Sequence, residues 1–266
     1  MRDSSMDIDF LRSIGLSLKK IIPPLIWKLH GTLPIGVGAS GDKTYLVDKK
    51  AEETVIRAIE KIGEPATVIS EECGIYVIKG GGIRFLIDPV DGSRNAVSGL
   101  PFFSTSIAIV DGDNLGDTII GYVVNLVNGD EFWALKGKGS YFNGMMMRAQ
   151  KNTKIQVVAF EALNPKRDIA KILPLLSLGT RTRCLGSTAL DTALVAQGVI
   201  SVFVSAFSSR SFDFASGWLL VKEAGGIITD LHGNALNHLP IGLDKISTLL
   251  ASGNETIHKQ AIDVLR

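Results

Sequence analysis

The sequence predicts an α/β protein in two parts, an α+β N-terminal half followed by an α/β C-terminal half. Three observations carry that prediction. Between residues 67 and 135, β-prone runs succeed one another across short turns such as Asp111-Gly112-Asp113-Asn114 and Asn128-Gly129-Asp130, which suggests a largely antiparallel sheet. Beyond about residue 150, strand-like and helix-like segments alternate, the rhythm of a mixed or parallel sheet. Ahead of both lie two amphipathic helical patterns able to back the first sheet.

The first pattern places Ile8, Leu11, Ile14, Leu18, Ile21 and Ile22 at helical spacing, and Pro23-Pro24 is expected to disrupt it. Asp48 is expected to N-cap a second helix carrying Ala51, Val55, Ala58, Ile59 and Ile62, with Gly63 as its stop. Strands are predicted over 67–70, 75–79, 83–87, 103–110, 118–127 and 130–135. Strands over 156–160, 180–184, 200–204, 226–229 and 247–251 then alternate with helices over 166–176, 187–197, 213–224 and 255–265. No linker, low-complexity tract or internal repeat divides the chain. One unit is expected, with an N-terminal lobe over 1–150 and a C-terminal lobe over 151–266.

With 266 residues, 45% hydrophobic and 21% charged, the composition is that of an ordinary globular protein with a sizeable core. A formal net charge of +1, with no dense Lys/Arg block, argues against nucleic acid or an anionic membrane as the main partner. No apolar run approaches the roughly 18 residues that span a bilayer, and the polar start Met1-Arg2-Asp3-Ser4-Ser5-Met6-Asp7 is unlike a secretory leader. Cys73 and Cys184 make no disulfide framework, so reduced thiols and a cytoplasmic location are expected, with Cys184 in the core. The partner expected is a small molecule. His30, His232, His238 and His258 lack the spacing of a zinc site, and His232 and His258 read as surface residues.

The chemistry concentrates in Leu86-Ile87-Asp88-Pro89-Val90-Asp91-Gly92-Ser93. Two carboxylates end an apolar run, and a proline and a glycine predict a turn there. Such a turn aims Asp88, the Val90 carbonyl and Asp91 at one point, hard oxygen ligands of the kind Mg²⁺ takes. It leaves the Gly92 and Ser93 amides to face a phosphate. Glu71-Glu72 follows the β-prone Thr67-Val68-Ile69, Asp213 opens the helical pattern of Phe214, Trp218 and Val221, and Asp42 lies in the glycine-rich segment 36–42. Singly, each acid has a bland reading: a surface turn, a solvated strand end or a helix cap. Together, four segments place acids at the ends of ordered elements, and convergent carboxylates require a counter-charge that metal ions supply.

Residues 36–41 match the GxGxxG spacing of dinucleotide-binding loops, and 36–44 nearly match a P-loop. The context is wrong for both, because the next helix starts at Asp48 and Asp42 would repel a phosphate. The segment reads instead as a flexible loop delivering Asp42 and Lys43 to a site. Ser187 has no GxSxG setting to make it a nucleophile.

This pattern resembles the inositol monophosphatase family. The carrying segments are SEEC (70–73), DPVDGSRN (88–95), GSTALD (186–191) and FDFASGWLLVKEAGG (212–226), in the order and spacing of the family's GEE, DPxDGTxN, GxxA and WDxAAG. The resemblance spans nearly the whole chain. It implies a layered αβαβα sandwich, usually a homodimer, that hydrolyses phosphate monoesters with two to three Mg²⁺ ions per site. It implies Glu71, Asp88 and the Val90 carbonyl as ligands of the first ion, and Asp88, Asp91 and Asp213 as ligands of the second. Glu72 then stands behind these ligands, and Asp42 holds waters on a third ion. Ser93, where the family usually has threonine, would with Asp42 or Glu71 orient and deprotonate the attacking water. The Gly92 and Ser93 amides would contact the phosphate, and Ser187, Thr188 and Arg210 the sugar.

The chain departs from animal-type members between Gly198 and Asp213, where their inositol-contacting glutamate has no counterpart. Arg210 is available there to pair with a second phosphate. That stretch, the short connection from Cys73 to Arg84, and Ser93 resemble compact archaeal members that accept both inositol 1-phosphate and fructose 1,6-bisphosphate. The expected function is Mg²⁺-dependent hydrolysis of one or both. The alternatives are a 3′-phosphoadenosine 5′-phosphate phosphatase and a non-catalytic sugar-phosphate or metal sensor. Retention of every acid argues against the sensor.

Overall fold

The computed structural model describes residues 6–26, 34–39, 41 and 43–266. Asp42 and His30 lie outside the described residues. In chain order the elements are α1 (Ile8–Ile26), β1 (Pro34–Val37), β2 (Lys43–Tyr45), α2 (Leu46–Ile62), β3 (Ala66–Ser70), β4 (Gly74–Ile78), β5 (Ile83–Asp91), α3 (Ser93–Ser98), β6 (Ser104–Val110), β7 (Thr118–Asn125), β8 (Glu131–Leu135), β9 (Gly139–Phe142) and β10 (Met145–Met147). There follow β11 (Val157–Glu161), α4 (Pro165–Leu176), β12 (Arg181–Arg183), α5 (Thr188–Ala196), β13 (Val202–Arg210), α6 (Ser211–Glu223), β14 (Ile227–Thr229), β15 (Lys245–Ser252) and α7 (Glu255–Leu265).

One sheet runs β10-β9-β8-β7-β6-β5-β3-β4 and is antiparallel except where β3 pairs with β5. The second runs β12-β11-β13-β15-β14, with β11 parallel to both its neighbours and the other pairs antiparallel.

The period-two alternation of the strands sorts their side chains into separate cores. On β5, Phe85 and Ile87 join Ile107, Ile109 and Tyr122 beneath α1 and α2. Leu86, between them, faces the opposite way with Ala108 and Val123, against α5 and α6. Those two helices are covered on their other side by Ala159, Phe203, Leu249 and Ala251 of the second sheet. That sheet's far face, Val158, Val202, Val204 and Leu250, packs on α4 and α7. The layers therefore run α, β, α, β, α, as the family resemblance implies. Helix α6 is apolar nearly all round because it lies between two sheets. Its seat is tight: a Cβ on Gly217 would meet Thr192 Oγ1 at 2.0 Å, and one on Gly121 of β7 would meet the Ser216 carbonyl oxygen at 2.8 Å.

The structure differs from the prediction in several places. α1 continues through Pro23-Pro24 to Ile26; the two missing N–H groups affect only its last turns, where Ile22 is buried in the core. α2 starts at Leu46, and Asp48 lies in its first turn, accepting the Tyr45 N–H at 2.8 Å. The glycine-rich segment is flanked by a paired hairpin, β1 with β2, and is not simply a loop. His258 is buried, its ring nitrogens 3.0 Å from Thr229 Oγ1 and 3.1 Å from Ser252 Oγ. Cys184 is exposed because it follows the edge strand β12. Among the described residues no helix is long and apolar enough to cross a membrane.

Candidate active site

β5 does not turn at Asp88; it continues to Asp91 through a bulge. Asp88 stands opposite Ser106 of β6 and Asp91 opposite Ser104, so three steps on β5 match two on its partner. In a regular strand, residues three apart point to opposite faces. The extra residue brings both aspartates onto one face. Pro89, which has no N–H for the ladder, occupies the bulge, and its carbonyl accepts the Thr105 hydroxyl at 2.7 Å. Gly92 follows at φ +88°. A Cβ there would lie 2.9 Å from the Gly186 carbonyl oxygen, so glycine is required both for the backbone angle and for the space. α3 then begins at Ser93, whose hydroxyl donates to the Val90 carbonyl at 3.1 Å.

Asp91 is received by the start of α5, where its Oδ2 accepts the Ser187 hydroxyl at 2.5 Å and the Ala189 N–H at 2.8 Å. Asp213, in the first turn of α6, accepts the Arg210 N–H at 2.7 Å. Glu71 sits in the tight connection from β3 to β4. These elements converge on a cavity of about 240 Å³ whose wall includes Glu71, Asp88, Val90, Asp91, Gly92, Ser93, Thr188, Arg210 and Asp213. Ser187 is not on that wall; it is fully buried, with its hydroxyl committed to Asp91. Glu72 turns to the β1–β2 hairpin, its carboxylate accepting the Thr44 hydroxyl and its carbonyl the Ala39 N–H at 3.1 Å.

Sequence reasoning missed three kinds of residue here. Asp48, read as a cap, is a buried acid near Ser93, and its pKa is pushed up to about 7 by burial, with Glu72 adding repulsion. Glu161, at the end of β11, lines the cavity, as do the cations Arg94 and Lys245. Lys43, expected at the site, is on its wall. Glu161 also ends an apolar run, but alone, with no second acid or turn residue beside it to single it out.

Burial raises Asp88 well above the ordinary carboxylate range, and Asp91, Glu71 and Asp213 add like-charge repulsion. Burial pushes Asp213 up to about 7 against the pull of the Arg210 N–H and charge. It raises Asp91 to about 6 while Ser187 and the α5 amides pull down. Asp88 Oδ1 is buried with no hydrogen-bond partner. An orphaned carboxylate oxygen among further acids fits a hard divalent cation, and the all-oxygen donor set suits Mg²⁺-like ions better than zinc. Among the described residues no three His, Cys, Asp or Glu side chains form a ready-made metal cluster.

The layer order and the acid-lined cavity are in keeping with a family of generally metal-dependent phosphatases. Residues 36–266 match the inositol monophosphatase family, and the chain belongs to it. It is 29% identical over 274 residues to a fructose-1,6-bisphosphatase/inositol-1-monophosphatase of Methanothermobacter thermautotrophicus, covering 97% of this chain and 98% of that one. It is 31% identical over 279 residues to a bifunctional NADP phosphatase/NAD kinase of Methanococcus maripaludis, covering 97% of this chain and 49% of that protein. A solved Pyrococcus horikoshii structure, described as having similarities to inositol-1 monophosphatase, superposes with a TM-score of 0.81 at 26% identity, covering 98% of this chain and all of that one.

Proposed function

We propose that this protein is a Mg²⁺-dependent phosphomonoesterase that releases phosphate from inositol 1-phosphate, fructose 1,6-bisphosphate or both. The observation that carries the reading is Asp88: buried, lacking a donor to Oδ1, and ringed by Glu71, Asp91 and Asp213. In this reading Glu71, Asp88 and the Val90 carbonyl hold one ion, Asp88, Asp91 and Asp213 a second, and Asp42 the waters of a third. Bound ions lower the pKa of water and offset charge on the phosphoryl group and on the leaving alkoxide.

The chain's own groups position the reactants. The Ser93 hydroxyl, near Asp48 as well as Val90, gives the attacking water a partner and a route for its proton to a carboxylate. Glu71 flanks the same position, and the Gly92 and Ser93 amides face the phosphate. Lys43, Arg94, Arg210 and Lys245 surround the cavity and attract an anionic substrate. Thr188 and Arg210 meet its organic portion. The same reading takes the working unit as a cytoplasmic homodimer built of lobes 1–150 and 151–266. A second reading, NADP as the substrate, is favoured by the Methanococcus relative and the four cations.

The test is phosphate release from inositol 1-phosphate, fructose 1,6-bisphosphate, NADP and 3′-phosphoadenosine 5′-phosphate, with and without Mg²⁺. Mg²⁺-dependent turnover of at least one of the first two is expected, and Asp88→Asn should lower it about 10³-fold without unfolding the protein. Near-normal turnover by a folded Asp88→Asn protein would refute the assignment.

A further inference from the structure

The two oxygens of Asp91 are held unequally. Oδ2 takes the Ser187 hydroxyl at 2.5 Å and the Ala189 N–H at 2.8 Å, with the Ser104 hydroxyl more distant at 3.5 Å. Oδ1 accepts none of these donors, and Asp91 lines the cavity. Asp88 is the contrast: its buried Oδ1 has no donor at all.

Ser187 has its own position fixed. It is fully buried and caps α5, its Oγ accepting the Leu190 N–H at 3.4 Å and lying 3.2 Å from Ser104 Oγ. An ionised carboxylate can only accept, so the one proton of the Ser187 hydroxyl goes to Asp91. The residues before Ser187 are anchored to the same loop. The Asn95 side-chain amide donates to the Leu185 carbonyl at 2.6 Å, and a Cβ on Gly92 would lie 2.9 Å from the Gly186 carbonyl oxygen. Ser187 therefore cannot follow Asp91 if the carboxylate rotates. Rotation would break a short buried bond and leave its partners unsatisfied.

That restraint bears on which ion the carboxylate suits. Mg²⁺ is small, demands near-octahedral geometry and keeps much of its water, whereas Ca²⁺ takes more oxygens and accepts a carboxylate through both of its own. A carboxylate with one oxygen committed to the protein serves the first ion and stints the second.

We propose that Ser187 is a positioning residue that raises the preference of the site for Mg²⁺ over Ca²⁺: by holding Asp91 Oδ2 it makes the carboxylate meet its ion through Oδ1 alone. This rests on the reading of Asp91 as an ion ligand and deepens it.

The experiment titrates Mg²⁺ and Ca²⁺ separately, by calorimetry and without substrate, into wild type, Ser187→Gly and Ser187→Thr. Glycine removes the hydroxyl at little cost to the helix cap, and threonine restores it. Asp213→Asn marks the binding event that Asp91 shares, because that event is the one it weakens. Ser187→Gly should weaken Mg²⁺ at that event about tenfold or more and leave Ca²⁺ within about threefold, and Ser187→Thr should return the ratio towards wild type. Equal weakening of both ions, the result of a merely loosened α5, overturns the proposal, as does an unchanged ratio; either leaves the phosphatase reading intact. A wild type that binds neither ion overturns the two together. Should the variants fail to fold, a crystal structure of wild type with Ca²⁺ decides. Asp91 on the ion through Oδ1 alone, with Oδ2 still on Ser187, supports the proposal, and both oxygens on the ion overturn it.

Discussion

Asp213→Asn separates the stability of the site from its activity. Without metal, burial pushes the Asp213 carboxyl up to about 7, with repulsion from Asp91 a smaller contribution. The folded protein therefore keeps that proton to higher pH than the unfolded chain does. Stability falls as pH rises from about 4 to about 7, and the penalty is complete above that. A rise of about three pK units corresponds to about 4 kcal/mol, which the open cavity's solvent reduces to about 2 kcal/mol. Asparagine cannot ionise, and its side-chain oxygen still accepts the Arg210 N–H that Asp213 takes at 2.7 Å. In EDTA at pH 8 the variant should unfold about 4–8 °C above wild type, and at pH 4 the difference should vanish. Mg²⁺ at ten times its Kd adds about 1.4 kcal/mol to wild type and little to the variant, so the gap narrows as the ion is added. Scanning calorimetry at pH 4, 6 and 8, with EDTA or Mg²⁺, measures each term. Equal melting temperatures in EDTA at pH 8, or equal responses to Mg²⁺, would refute the account of a buried carboxylate that a cation neutralises.

Two further outcomes follow from the packing. Burial lowers the His258 ring to about 4, below its unfolded value, so stability should drain away as pH falls from about 6.5 towards 4, by at most about 3 kcal/mol; His258→Gln should flatten that limb in urea titrations across the acid range. A Cβ on Gly217 would stand 2.0 Å from Thr192 Oγ1, so Gly217→Ala should lower stability by about 1–3 kcal/mol in denaturant melts, and an unchanged midpoint would contradict the close approach of α5 and α6.

What could be read from the sequence divides along physical lines. The elements were legible because they rest on local periodicity, as in the helical spacing of α1 and α2, whereas the layer order came only with the family resemblance; Phe85, Leu86 and Ile87 do alternate between two cores. The acids of the site were legible as residues, because carboxylates at the ends of apolar runs are conspicuous. Their geometry was not. The bulge that aligns Asp88 with Asp91 is a mismatch with β6, and one strand alone cannot show it. Asp48 was hidden because a capping aspartate and a buried one look alike in sequence. Glu161 joins the cavity only through the parallel pairing of β11 with β13, a contact between segments far apart in the chain. His258 reads as exposed until α7 is laid against the second sheet.

The parts of the site come from different layers. Asp88 and Asp91 belong to the first sheet, Asp213 and Thr188 to the helical layer, and Glu161 to the second sheet. No single element sets the distances among them; the spacing between layers does. That spacing is fixed where backbones touch, at Gly121 against Ser216 and Gly217 against Thr192. It is fixed again where Asp91 takes the Ser187 hydroxyl and the Ala189 N–H across the layer boundary. Asp91 thus pins the start of α5 through one carboxylate oxygen while facing the cavity. An ion drawn to these acids would act on groups already held by the core, which is how a site of repelling charges persists in a stable fold.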